Sequence, residues 1–238
     1  MTVHFRMATA LVAVLVLLAG CAAPEIPYDR ASSGEIKSIG IATPSFPPDP
    51  VVVLASSVGQ SFGLIGALVD AGMQSNRDAQ FKALLQRQNF SARDRFIESL
   101  TARLQERGYT VSLVPVKRES TDFLTHYPTG SEPPVDAYLD LVALSYGYVA
   151  AGIGSSTPYR PQFAVRTRLV SAKDSSVLMQ DQVVYNPIGS PPKTVTIAPE
   201  PGHQFKDFDT LVADPGTAVI GLKTATERSA ETVSALLQ

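Results

Sequence analysis

Two periods of apolar residues run along this chain. In residues 35–43, EIKSIGIAT, isoleucines at 36, 39 and 41 mark an apolar strand, ended by Pro44, Pro47, Pro48 and Pro50, which have no N–H to give a ladder. Residues 109–116, YTVSLVPV, predict a second strand that weakens at Pro115. Residues 136–150, DAYLDLVALSYGYVA, predict a long third strand with Tyr138, Val142, Leu144, Tyr146 and Tyr148 on one face. Residues 162–170 and 177–185 form a hairpin around the turn residues AKDSS. In its first strand Phe163, Val165, Thr167 and Leu169 face one way, and Arg166 and Arg168 the other.

Elsewhere the period is helical. SARD at 91–94 reads as a capping box, Phe96, Ile97, Leu100 and Leu104 line one stripe over 93–107, and Gly108 is a natural stop. Before it, 76–90 is a more polar helix with Phe81, Leu84, Leu85 and Gln88 on one face. Asp214 and Pro215 open the final helix as N-cap and N1, and Val219, Leu222, Thr226, Val233, Leu236 and Leu237 form its stripe. Residues 117–134 and 186–202 are polar, proline-rich loops. Helical stripes need a sheet face to cover, so the expected class is α+β, an α/β sandwich. A mixed sheet of about five strands would carry its helices mainly on one face.

Residues 51–71 fit neither period cleanly. Small residues recur every fourth position at Ala55, Gly59, Gly63, Ala67 and Ala71, and no charge falls between Val51 and Val69. On a helix they would form a slowly winding groove that admits another backbone closely. A close-packed helix, within the domain or in a homo-oligomer, is the favoured reading of a helical insert at 51–89. A spanning helix is marginal in length, and a loop or surface-lying segment is open because glycine disfavours helix interiors.

The amino terminus carries His4 and Arg6, an apolar run from Met7 to Leu18, then Ala19, Gly20 and Cys21. That is a secretory signal, too short to span a bilayer. LAGC at 18–21 resembles the bacterial lipobox, which implies cleavage between Gly20 and Cys21 and acylation of Cys21. Ala22 in place of aspartate implies, by the same resemblance, the periplasmic face of the outer membrane. Cys21 is the single cysteine of the 238-residue chain, so no disulfide partner exists for it. Two acyl chains already anchor stably. The expected domains are thus a signal at 1–20, a lipidated tether at 21–34 and one periplasmic domain at 35–238. The Pro-, Ser- and Gly-containing tether would reach about 45 Å if extended. Loss of Arg6 makes the chain one unit more negative than its formal −2, which argues against nucleic acid as a partner.

EIKSIGIATPSF, FIESLTARLQERGYTV, VDAYLDLVAL and VRTRLVSAKDSSVLMQDQVV resemble the pattern of a group of periplasmic modules. The group comprises penicillin-binding-protein activator lipoproteins, the curli-secretion lipoprotein and the amino-terminal domain of the Tol-system propeller protein. The resemblance implies a strand, helix, strand, long strand and hairpin fold. Residues 51–89 exceed the usual link in that group.

No catalytic constellation or cofactor motif emerges. His126 and His203 are the histidines left after cleavage, both in loops and without zinc-ligand spacing. Asp207 and Asp209 read better as caps or solvated turn residues than as a general acid and base. No GxSxG or SxxK positions a serine. Arg166 and Arg168, with the amphipathic Tyr146 and Tyr148, are the candidate partner surface. The leading expectation is therefore a non-enzymatic, membrane-anchored binding or scaffold module for an envelope protein. A self-associating subunit of an envelope or secretion assembly, acting through 55–71, is the alternative, and an envelope hydrolase is the remaining class.

Overall fold

Ile39 and Ile41 are fully buried because their strand lies inside a seven-stranded mixed sheet. The computed structural model describes residues 25–31, 35–55, 71–130, 132–151, 157–188, 190 and 192–238. The sheet order is β3 (Thr110–Val114), β1 (Ser38–Ala42), β4 (Ala137–Ala151), β5 (Arg160–Ser171), β6 (Val177–Tyr185) and β7 (Val195–Ile197). A further strand, β2 (Val51–Ala55), also pairs with β4. β1 runs parallel to both β3 and β4, and β4, β5 and β6 are antiparallel. The α+β class is as expected, with β2 and β7 added to the five strands that the pattern showed.

β2 corrects the reading of 51–89 as helical from its start. Val51–Ala55 runs parallel to Gly147–Ala151, and the Val52 N–H donates to the Asp78 carboxylate at 2.7 Å. Ala55 therefore belongs to a strand and Ala71 to a helix, α1 (Ala71–Arg87). Gly59, Gly63 and Ala67, with the rest of 56–70, lie outside the described residues. Among the described residues no helix is long and apolar enough to cross a membrane.

A bulge corrects the long strand. Ala143 pairs with Val165 but Ser145 with Ala164, leaving Leu144 as an extra residue. Alternation is thereby reset, and a one-residue offset moves every later side chain to the opposite face. Tyr138 and Val142 share one face of the sheet. Tyr146 and Tyr148 share the other, with Leu139 and Leu141, while Leu144 is 42% exposed. Gly147 follows at φ +145°, and a Cβ there would lie 1.9 Å from the Val51 carbonyl oxygen.

Helices cover the Leu139 face. α2 (Ala92–Glu106) and α4 (Pro215–Ala235) pack Phe96, Leu100, Leu104 and Val233, with Leu237 just beyond α4, against β1, β4, β5 and β6. At the far end α1, the short α3 (Phe208–Ala213) and the start of α4 enclose Tyr148 with Phe81, Leu84, Phe205, Leu211 and Leu222. The Ser91 hydroxyl accepts from Asp94 N, and Gly108 ends the next turn at φ +89°. Loss of a Ser cap costs about 1 kcal/mol. Ser91→Ala should therefore lower the unfolding free energy by that amount, seen as a lower urea midpoint with an unchanged slope.

The other face is covered by the loop between β3 and β4, which is polar in sequence but ordered. Asp140, fully buried, is ion-paired with Arg118 Nη2 and accepts from Leu124 N at 2.7 Å and the Tyr127 hydroxyl at 3.0 Å. Arg118 Nε donates to the Thr43 carbonyl at 2.6 Å, tying the loop to the end of β1. Burial, then the Asp140 charge, raises the Tyr127 hydroxyl far above its ordinary pKa, so it remains a donor. Tyr127 stacks on Tyr138, with centroids 5.6 Å apart.

Two exposed carboxylates brace the chain, Asp136 against the start of β1 and Asp174 in the β5–β6 turn. Backbone donation from Lys37 N, with Ser38 N and Oγ, holds Asp136 below the usual carboxylate range. Donation from Ser176 Oγ and N holds Asp174 at about 2 against 3.8. A depressed folded pKa contributes stability that is present above the unfolded value and lost as pH falls through the folded one. Urea midpoints should therefore drop progressively as pH falls from about 4 toward 2. A midpoint flat over that interval would contradict this bracing.

Residues placed in the expected tether contact the folded domain. Ile26 N donates to Gln180 O and Gln180 N to Ile26 O, each at 2.8 Å, and Tyr28 packs against the main core. The edge of β6 gives Ile26 a partner that local composition cannot reveal.

Candidate functional site

At the end of the sheet away from the β5–β6 turn, four separate segments meet. β2 contributes Leu54, α1 contributes Asn76, Arg77 and Gln80, and Thr157 and Tyr159 lead into β5. Lys206, Asp207, Phe208 and Asp209 complete the lining of a cleft of 430 Å³. Tyr159 and Phe205 exchange backbone hydrogen bonds of 2.7 and 2.9 Å, which fix the Lys206–Asp209 stretch to the sheet. Asp207 then caps α3, accepting from Thr210 N at 2.8 Å, while Asp207 N donates to Thr210 Oγ1 at 3.2 Å.

The electrostatics follow from those contacts. Donation from Thr210 N, then Oγ1, holds the Asp207 carboxyl below its ordinary range, so it stays ionised and is committed to the cap. Arg77 lies over the Phe208 ring at 6.0 Å, a cation–π contact. Its Nη1 is buried and has no hydrogen-bond partner among the described residues. A buried donor without an acceptor is costly. The cleft is therefore lined by the Arg77 guanidinium, a lysine, two aromatic rings and the Asp207 and Asp209 carboxylates, and the buried Arg77 Nη1 is left without an acceptor.

The sequence-derived surface does not assemble. Tyr148 is fully buried beneath the helices, where its hydroxyl donates to the Ala218 carbonyl at 2.8 Å, and Tyr146 is half-buried on the same face. Arg166 and Arg168 point to the opposite face. Arg166 Nη2 donates to Asp122 at 2.7 Å, and the two guanidinium groups lie 5.0 and 4.1 Å from the Phe123 ring. They hold down the β3–β4 loop. His126 is exposed in that loop, whereas His203 is half-buried beside Gly221. Asp209 lines the cleft in the first turn of α3. Among the described residues no three His, Cys, Asp or Glu side chains gather as metal ligands. Cys21 and Gly20 lie outside the described residues. The cleft went unseen because its residues span 54 to 209, and only the Asp207 capping pattern was locally visible.

No family model matches the chain, and no curated protein matches it. Solved structures to which it is similar include a DUF330 protein from Xanthomonas campestris, at 10% identity and TM-score 0.40, over 90% of this chain and 86% of that one. A protein described as a neuraminyllactose-binding hemagglutinin homolog from Helicobacter pylori aligns at 10% identity and TM-score 0.35, over 92% of this chain and 91% of that one. One described as a lipoprotein from Caulobacter crescentus aligns at 15% identity and TM-score 0.28, over 60% and 75% of the two chains. At these scores they assign this chain neither a family nor a role.

Proposed function

We propose that this chain is a lipid-anchored module of the bacterial envelope that binds another envelope protein without catalysing a reaction on it. The address rests on the apolar run 7–18 followed at once by LAGC. The observation that carries the binding role is Arg77, whose buried Nη1 lacks an acceptor at the wall of an open cleft. A peptide segment entering the cleft would satisfy it with a carboxylate or carbonyl once the Arg77 side chain swings out, since Nη1 is closed to solvent in the unbound chain. Charge-assisted hydrogen bonds are worth about 1.5–3 kcal/mol, so Arg77→Ala should weaken partner binding by roughly tenfold or more.

The test is a photo-crosslinking side chain at Gln80, on the cleft rim, in intact cells. A discrete adduct that fades in the Arg77→Ala background, with protein level unchanged, is the expected result. An adduct pattern insensitive to Arg77 would remove the cleft as the binding site.

A further inference from the structure

Ile26 fixes where the lipid leaves the folded body. It is paired on both sides of its peptide with Gln180, and Tyr28 packs behind it. Cys21 precedes Ile26 by five residues, a link of at most about 17 Å at ~3.4 Å per residue. Gln180 is paired in turn with Arg168 on β5. The cleft begins at Tyr159, nine residues back along that strand, which corresponds to about 30 Å. The lipid exit and the cleft therefore occupy opposite ends of the sheet.

We infer that the β5–β6 turn end is the bilayer-facing end and that the cleft opens away from the membrane, toward a partner approached from the aqueous side. This rests on the lipid-anchor reading above. The chain's net negative charge gives it no overall attraction to an anionic leaflet, and the docked strap sets the orientation. Lipid headgroups and membrane-embedded segments are thereby excluded as occupants of the cleft.

The test uses the native acylated protein in phosphatidylethanolamine–phosphatidylglycerol vesicles doped with a nickel-chelating lipid as quencher. One fluorophore is placed through Lys173→Cys in the β5–β6 turn and another through Gln80→Cys at the cleft; both parent residues are exposed. Quenching should be several-fold stronger at 173 than at 80. Ile26→Pro, which deletes the N–H donated to Gln180, should bring the two positions within twofold of each other. It should also speed exchange of the Gln180 amide at least tenfold. Equal quenching at both positions of the parent protein, on chains that float with the vesicles, would overturn the orientation and leave the anchor intact. Chains that do not float would remove the anchor and the orientation with it. A Gln180 amide that exchanges equally fast in parent and variant would overturn the strap.

Discussion

Asp140→Ala should lower the unfolding free energy by about 3–5 kcal/mol, because it strands a nearly buried guanidinium without its counter-charge. Arg118 is 10% exposed and Asp140 is 0% exposed. The substitution also removes the acceptor for Leu124 N and the Tyr127 hydroxyl, so three donors lose one partner together. Urea denaturation should show the loss. Limited proteolysis should find new cuts between Arg118 and Tyr127 before any in α2. Replacing both charges, as Arg118→Met with Asp140→Leu, should recover only part of the stability, since it removes the stranded charge but still leaves Leu124 N and the Tyr127 hydroxyl without their acceptor. A single Asp140→Ala change within 1 kcal/mol of the parent would mean that the loop does not depend on this pair.

Gly147→Ala should cost about 2–6 kcal/mol and detach β2. Two effects combine there. At φ +145° an L residue is strained by about 1–3 kcal/mol. A Cβ would also meet the Val51 carbonyl oxygen at 1.9 Å and its nitrogen at 2.8 Å, and overpacking adds about 1–3 kcal/mol. Backbone atoms cannot rotate aside as a side chain would. The Val52 amide, now held by Asp78, should lose exchange protection first. Leu54 follows Val52 in the same strand, so the cleft wall should loosen, and the Gln80 adduct should weaken even where the rest of the chain stays folded.

Where the fold was legible, the signal was local. Ser91, Gly108, Asp214 and Pro215 act within one turn of their own helix ends, and each performs the role that its position suggests. β4 misled for a physical reason. Residues on both of its faces are buried, among them Tyr138 and Leu139, so an apolar alternation in either phase looks uninterrupted and Leu144 leaves no mark. β2 shares its charge-free composition with the small residues that follow, and its strand state comes from pairing with Gly147–Ala151. Ile26, β7 and the Arg118–Asp140 pair likewise depend on partners distant in sequence. The partner surface failed with β4, because Arg166 and Arg168 could join Tyr146 and Tyr148 only on an unbulged strand.

Mass spectrometry of the amino-terminal peptide from the native protein tests membrane anchoring most directly. The expected chain begins at Cys21, with a diacylglyceryl group on the sulfur and an acyl group on the new amine. A chain that still begins at Met1 and carries an unmodified Cys21 thiol would contradict the anchor, the envelope address and the orientation built on them.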